Sequence, residues 1–382
     1  MLIRKRIVIY AVVMACLVGA WLNSSAYFRP PVYSVPSGKV QAYLAKPGAY
    51  RVVFIGDSRT FTDIQPRVVG PLIGRPTYNM ATFGLWMPVQ YLEFQEVFPH
   101  VPQDTVLVWS LSHHNFAPIG DRWWIPGQYK FGLLDAAEYL MDGYPPERIL
   151  REYEESPFSP VDLVVKKRRE LTAQFDDAVW KHSEPPQAAA AAPAASTPPA
   201  NIEAARLMDE LKQDKNITYI APASKDGIVN SIEVVRSDGG YDRIVVDPAY
   251  FKNQQSKLFP QRSGGSTNCT FVANDVYMRT FYKILDLVAK YRLRLVVNYI
   301  EDAPGNWQSD AERQCAKQFM VDKIVPILTS RGIAFMGPDL YPRIGFSNDY
   351  YFDESHLATE GASIYSKMFA TDLKNLLTNR GW

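Results

Sequence analysis

A serine, a histidine and an aspartate stand where a fold could bring them into one site. Gly56-Asp57-Ser58-Arg59 follows directly on the apolar, β-rich run Tyr50–Ile55. Such a run reads as a buried strand feeding a tight turn, for which glycine supplies the backbone freedom. A serine there lies at the carboxyl edge of a sheet, where a helix begins and free N–H groups can face an oxyanion. Taken alone, the tetrapeptide also fits a simple helix cap by Asp57 or Ser58. Near the other end of the chain, Asp353-Glu354-Ser355-His356 precedes the last helical segment. Ser-His-Asp chemistry needs an imidazole to take the hydroxyl proton and a carboxylate to orient that imidazole. An aspartate three residues before a histidine lets both reach one cleft from a single loop. The alternative is a capping aspartate followed by a solvated histidine. Two more segments, Asn79-Met-Ala-Thr-Phe-Gly84 and His113-His114-Asn115-Phe116, follow the β-rich runs Thr77–Asn79 and Thr105–Leu111. A glycine N–H and an asparagine amide are the neutral donors an oxyanion hole uses. Arg59 is placed either to meet an anionic substrate group or to form a salt bridge at the sheet edge.

These residues need a scaffold, and the hydrophobic pattern supplies one. Met87–Val97 has helical spacing, and Val276–Tyr291 sets Phe281, Ile284, Leu285 and Val288 on one helical face. Arg294–Tyr299 reads as a strand, Ala311–Ser330 as a helix and Gly332–Met336 as a strand. A last helix, Thr359–Leu377, turns Ala362, Tyr365, Phe369, Leu373 and Leu376 inward. Apolar strands alternating with amphipathic helices predict an α/β fold with a mostly parallel sheet covered on both faces. Sites in such sheets lie beyond the carboxyl ends of the strands, where all four segments fall. Residues 117–272 interrupt this rhythm. They hold an aromatic stretch (Trp123, Trp124, Tyr129, Phe131), helical segments at Leu133–Met141 and Pro160–Phe175, and an Ala/Pro tract over 184–200 that reads as a linker. A β-hairpin is expected over 231–247, turning at Ser237-Asp-Gly-Gly240. Arg262–Asn268 is a polar loop, either a lid or a solvated connection.

With 41 basic and 40 acidic residues in 382, the chain carries no net pull toward nucleic acid. Arg4, Lys5 and Arg6 precede an apolar run, and Ile7–Phe28 as a helix would span roughly 33 Å, enough for a bilayer core. The basic cluster sets the N-terminus in the cytoplasm and the body outside. The rival readings are a signal peptide cleaved near Ser24-Ser25-Ala26 and a lipoprotein signal at Val13-Met14-Ala15-Cys16. All three export the body. The expected organisation is a transmembrane anchor over 1–28, a stalk over 29–48, a first domain part over 49–116, the insertion over 117–272 and a second part over 273–382. Cys269 and Cys315 in the exported body permit one disulfide, with two free thiols as the alternative.

Taken together, the four segments resemble the SGNH (GDSL-type) hydrolase family. Its Gly-Asp-Ser turn is matched by Gly56, Asp57 and Ser58, its Asn-and-Gly block by Asn79 and Gly84, and its final Asp-x-x-His by Asp353 and His356. Its third block, usually Gly-x-Asn-Asp, keeps only Asn115, so His113 or His114 is an alternative donor there. The resemblance covers roughly 50–116 and 274–380. It implies a flavodoxin-like three-layer α/β/α fold, with neither metal nor organic cofactor. Ser58 would be the nucleophile, His356 its base and Asp353 the orienting carboxylate. The N–H groups of Ser58 and Gly84, with Asn115, would bind the oxyanion, and Arg59, Asn79, His113 and His114 are weaker candidates for substrate contact. With an anchor and a large insertion, the chain is similar to inner-membrane proteins whose periplasmic domains transfer or remove O-acyl groups on polysaccharides. Such proteins often work beside a multi-spanning membrane O-acyltransferase. A catalytically inactive, glycan-binding or scaffolding relative is the competing expectation.

Overall fold

A computed structural model describes residues 35–83, 87–117, 133–144, 146–147, 149, 199–225, 228–249, 251–252, 271, 273–301, 310–336, 348–353 and 355–382. In chain order the first elements are α1 (Val35–Leu44), β1 (Val52–Ile55), α2 (Ser58–Asp63), α3 (Pro66–Ile73), β2 (Thr77–Asn79), α4 (Met87–Val97) and β3 (Val106–Leu111). Then come α5 (Leu133–Met141), α6 (Pro199–Leu211), β4 (Ile217–Lys225), β5 (Ile228–Arg236) and β6 (Tyr241–Val245). The chain continues through α7 (Asp275–Lys290), β7 (Arg294–Tyr299), α8 (Asp310–Phe319), α9 (Val325–Ser330), β8 (Ala334–Met336) and α10 (Thr359–Arg380).

The chain divides into two compact units, one of Met1–Ser37 with Asp121–Ser196 and one of Gly38–Gly120 with Thr197–Trp382. The second is an α/β unit built on a five-stranded sheet of order β2-β1-β3-β7-β8, parallel throughout. Counting these strands in chain order gives 2-1-3-4-5, a doubly wound order whose direction reverses between β1 and β3. Every residue of β1 and β3 is buried, which explains why β1 is wholly apolar and β3 apolar but for Ser110. Side chains alternate between two helical layers. Val52, Phe54, Val106, Val108 and Val296 pack with α3 and α10 through Val69, Ile73, Phe369 and Leu373. On the opposite face, Trp109 meets Phe94 of α4 and Phe281 of α7. Helices therefore cover both faces, an arrangement compatible with a three-layer α/β/α fold.

The structure differs from expectation at several points. Within the stretch expected to be a stalk, residues 35–44 form α1, and Lys39, Val40 and Tyr43 are buried. Tyr43, Tyr50 and Tyr78 cluster there, with centroids 4.8–6.3 Å apart. Three apolar or amphipathic side chains on one turn make this segment part of the body. The second half of the expected insertion also belongs to the α/β unit. It forms an antiparallel sheet of order β4-β5-β6, with β5 and β6 paired across Ser237–Gly240. The helix expected over Ala311–Ser330 carries a π-helical turn at Met320–Ile324. Cys315 is disulfide-bonded, and its partner, Cys16 or Cys269, lies outside the described residues.

In the first unit, α5 is described, and Tyr139 packs on Tyr144 at 4.9 Å. The anchor over 1–28, the aromatic stretch at Trp123–Phe131, the segment Pro160–Phe175, the loop Arg262–Asn268 and all but the last two residues of the Ala/Pro tract lie outside the described residues. Among the described residues no helix is long and apolar enough to cross a membrane.

Candidate active site

The serine is set by its turn. β1 ends at Ile55, and Gly56 follows at φ +145, a conformation that L side chains rarely adopt. A Cβ on Gly56 would overlap Thr60 Oγ1 and come within 3.0 Å of the Ser110 carbonyl. Asp57 caps α2 by accepting the Arg59 N–H at 3.0 Å. Ser58 is the first residue of that helix, so its own N–H has no intrahelical acceptor. The Asn79 amide donates to the carbonyls of Thr60 at 2.8 Å and Ile64 at 2.9 Å, and its oxygen accepts from the Ala81 N–H. Asn79 was expected to touch substrate. Instead it is fully buried and clamps the helix that presents Ser58. Arg59 is likewise buried, in an ion pair with Asp57, which is the salt-bridge alternative of the two expected for it. Gly56→Ala is expected to cost about 3 kcal/mol of stability, through φ strain and overlap with Thr60 Oγ1, and to show as a lower denaturant midpoint at unchanged slope.

Across 298 positions of sequence, His356 Nε2 lies 2.7 Å from Ser58 Oγ. On its far side, Nδ1 lies 2.8 Å from both carboxylate oxygens of Asp353. Asp353 Oδ1 also accepts the N–H groups of Ser355 and His356 at 2.9 Å, which curls Asp353–His356 into one turn and fixes the imidazole plane. The His356 and Asp353 side chains are 21% and 32% exposed, so the row of three opens to solvent. Burial works against the charged imidazolium, but the Asp353 carboxylate outweighs it and holds His356 above its ordinary pKa. Burial likewise opposes the Asp353 charge, yet His356 and the two N–H donors hold its carboxyl below the usual range. Nδ1 is thereby kept protonated and Nε2 left free to accept a proton, the state a general base requires.

The imidazole loop is braced from two sides by residues that belong to no motif. Asp63, at the end of α2, is fully buried and accepts the N–H of Leu357 at 3.0 Å and the Thr62 hydroxyl at 2.6 Å. Burial pushes its carboxyl up to about 7. The helix that carries the serine thus holds the residue that follows the histidine. Arg243 of β6 lies 3.8 Å over the Phe352 ring, its carbonyl accepts the Thr359 hydroxyl at 2.9 Å, and its N–H donates back at 3.3 Å. The hairpin turn seats on the same structure: Gly239, at φ +76, meets the Asn79 backbone so closely that a Cβ would overlap its carbonyl oxygen. Phe61, Phe83 and Tyr241 complete an aromatic wall whose Phe83 ring stands 6.1 Å from the His356 ring.

Beyond β3, Ser112–Asn115 form a capping box in which Asn115 Oδ1 accepts the Ser112 N–H at 2.7 Å. Asn115 Nδ2 is buried and has no hydrogen-bond partner among the described residues. A buried amide donor without an acceptor costs about 1–3 kcal/mol, so the amide is set up for an acceptor from outside. Serine and asparagine follow the two strands that flank the switch point, where ligands of doubly wound sheets sit. His113 and His114 pack on one another, ring centroids 3.9 Å apart, and His113 packs on Phe271. Gly84 lies outside the described residues. The fold therefore brings Ser58, His356 and Asp353 together and leaves the two further histidines in a packed pair. No protein-family model and no curated relative matches the chain.

Proposed function

We propose that this chain is a serine-dependent enzyme of the SGNH type that transfers or removes O-acyl groups on an envelope or exported polysaccharide. The observation that carries the reading is the 2.7 Å approach of Ser58 Oγ to His356 Nε2, with Asp353 behind it. Ser58 Oγ attacks the acyl carbonyl carbon as His356 Nε2 takes its proton. The oxyanion is received by the N–H groups of Ser58 and Gly84 and by Asn115 Nδ2. His356 then gives the proton to the departing alkoxide, leaving acyl-Ser58. A water or sugar hydroxyl enters and attacks the acyl carbon as His356 deprotonates it, and His356 returns that proton to Ser58 Oγ as the acyl–Ser58 bond breaks. No step calls on a metal or organic cofactor. The apolar N-terminal run supports an inner-membrane anchor with the catalytic body in the periplasm, and the disulfide at Cys315 fits that oxidising side. A multi-spanning membrane O-acyltransferase is the proposed donor partner.

The full chain in detergent, given an activated acetyl ester and neutral glycan oligomers, tests the reading. Acetylated oligomers seen by mass spectrometry identify transfer, and free acetate alone identifies removal. Failure either to acetylate the oligomers or to release acetate from any ester removes the enzyme reading and leaves the glycan-binding alternative.

Asp63 gives this proposal a pH dependence. His356 must be neutral to accept the Ser58 proton, so kcat/KM falls as pH drops through its raised pKa. His356 faces Asp353 on its own loop and Asp63 and Arg59 from α2; the two carboxylates raise its pKa and the guanidinium lowers it. Asp63→Asn removes one negative charge, which moves the acidic limb of kcat/KM to lower pH. Its effect on stability has its own sign. The Asp63 carboxyl titrates near 7 when folded, far above its value in the unfolded chain, so the folded state binds the extra proton between those values. Stability therefore falls as pH rises from about 4 to 7, and the uncharged Asp63→Asn variant escapes that loss. The variant is expected to be more stable than the parent at pH 8, by about 2 kcal/mol or more, and so to melt higher, with no such gain at pH 4. An unmoved pH profile and an unmoved melting difference would show that Asp63 bears no charge felt by His356.

A further inference from the structure

The proton route divides the surroundings of the site in two. His356 Nε2 serves the alcohol oxygen in both half-reactions, as donor to the leaving alkoxide and as acceptor from the incoming hydroxyl. Whatever is attached to that oxygen must therefore lie beside the imidazole, while the acyl carbonyl points to the oxyanion donors. Beside the imidazole stands Phe83. Its ring centroid is 6.1 Å from that of His356, at an interplanar angle of 78°, and it is 38% exposed. Phe61 and Tyr241, themselves buried, hold it edge-on at 5.0 and 5.6 Å. Lys39 Nζ lies 3.8 Å over the Phe61 ring and donates to the Ala81 carbonyl two residues before Phe83, so α1 backs this wall. The ring is rigidly supported from behind and open in front.

We infer that Phe83 is the floor of a sugar subsite, on which a neutral pyranose ring of the acyl-bearing or acyl-accepting glycan stacks while its hydroxyl reaches His356. The occupant's identity rests on the acyl-transfer reading. Two observations select a neutral sugar. An aromatic face packs well on the C–H face of a pyranose but offers an anion nothing. The guanidinium groups nearest the triad among the described residues are engaged: Arg59 with Asp57, and Arg243 with Glu233 and the Phe352 ring. The one cation of the wall, Lys39, is buried behind Phe61 and donates to the Ala81 carbonyl, so among the described residues a uronic acid or sialic acid would find no cation in front of the Phe83 ring. The pre-set ring also lowers the entropy cost of binding, because a buttressed phenyl loses little freedom when covered.

The test separates the subsite from the chemistry. In the full chain carrying Ser58→Ala, neutral oligosaccharide binding is measured by titration calorimetry and saturation-transfer NMR, with and without Phe83→Ala. Phe83→Ala is expected to weaken binding about tenfold, Phe83→Trp to retain it, and an acidic oligosaccharide of equal length to bind more weakly than the neutral one. In the Ser58 parent, Phe83→Ala is expected to raise KM for an acetylated oligosaccharide at least tenfold more than for vinyl acetate, whose alcohol part is too small to cover the ring. Unchanged glycan binding in Phe83→Ala overturns the subsite, as do equal losses on both esters or loss of binding in Phe83→Trp. If the parent chain turns over no ester while Phe83 still governs glycan binding, the catalytic reading falls and the sugar subsite stands.

Discussion

Ser58→Ala is expected to lower turnover of an activated acetyl ester by about a million-fold, with the melting temperature close to that of the parent. The size of the effect follows from the geometry. Among the described residues the Ser58 hydroxyl is the group placed to attack, 2.7 Å from its base, and its replacement by hydrogen disturbs no other described hydrogen bond of that side chain. His356→Ala should lose nearly as much, because the hydroxyl is a poor nucleophile without a base to take its proton. The double variant should be hardly slower than either single one, since residues that act as a unit do not add. Steady-state rates together with thermal unfolding would settle the matter. Retention of a tenth of parent activity by a folded Ser58→Ala protein is incompatible with an acyl-serine route.

The second large effect is expected at Asn115. Removing an oxyanion donor costs about 100- to 1,000-fold in turnover. Alanine alone is an ambiguous probe, because Asn115 Oδ1 also accepts the Ser112 N–H and so helps to fold the turn. Asn115→Asp keeps that acceptor while replacing the buried Nδ2 donor with a carboxylate oxygen. Its buried carboxyl should cost stability, so thermal unfolding must first show the variant folded at the assay temperature; the folded protein should lose kcat at least as severely, with KM little changed. A folded Asn115→Asp protein with near-parent kcat would mean that the orphaned amide serves no oxyanion, and that His113, His114 or backbone N–H groups take that role.

Much of this arrangement is legible in the sequence, and the reason is local. β1, β3 and β7 are buried on both faces over nearly their whole length, so they read as mainly apolar runs, interrupted by Ser110 in β3 and by Arg294 and Asn298 in β7. Ser58, Asn79 and Asn115 could then be placed at one sheet edge by counting residues from strand ends. The Asp353–His356 turn is legible because both partners lie within one turn of chain. The bracing is different. Asp63 contacts the loop 294 residues away, and a carboxylate in a six-residue helix carries no periodicity that marks it as buried. Arg243 reads as an exposed hairpin residue until Phe352 is seen beneath its guanidinium. Asn79 shows the opposite failure: its position at the strand end pointed to substrate, whereas three backbone groups claim its amide. The strand β4 is not legible in the sequence because Pro222 interrupts its pattern, as edge strands tolerate. α1 reads as a stalk because Pro36 and Gly38 weaken a helical pattern, and burial of Lys39, Val40 and Tyr43 overrides that propensity.

The most direct measurement is labelling of the folded full chain with a fluorophosphonate, which reacts only with a serine whose proton a neighbouring base removes, followed by peptide mass spectrometry. The expected result is one adduct, on Ser58, that forms in the parent and not in His356→Ala. An unlabelled Ser58 in the folded parent, or equal labelling in His356→Ala, would contradict activation of this hydroxyl by that imidazole.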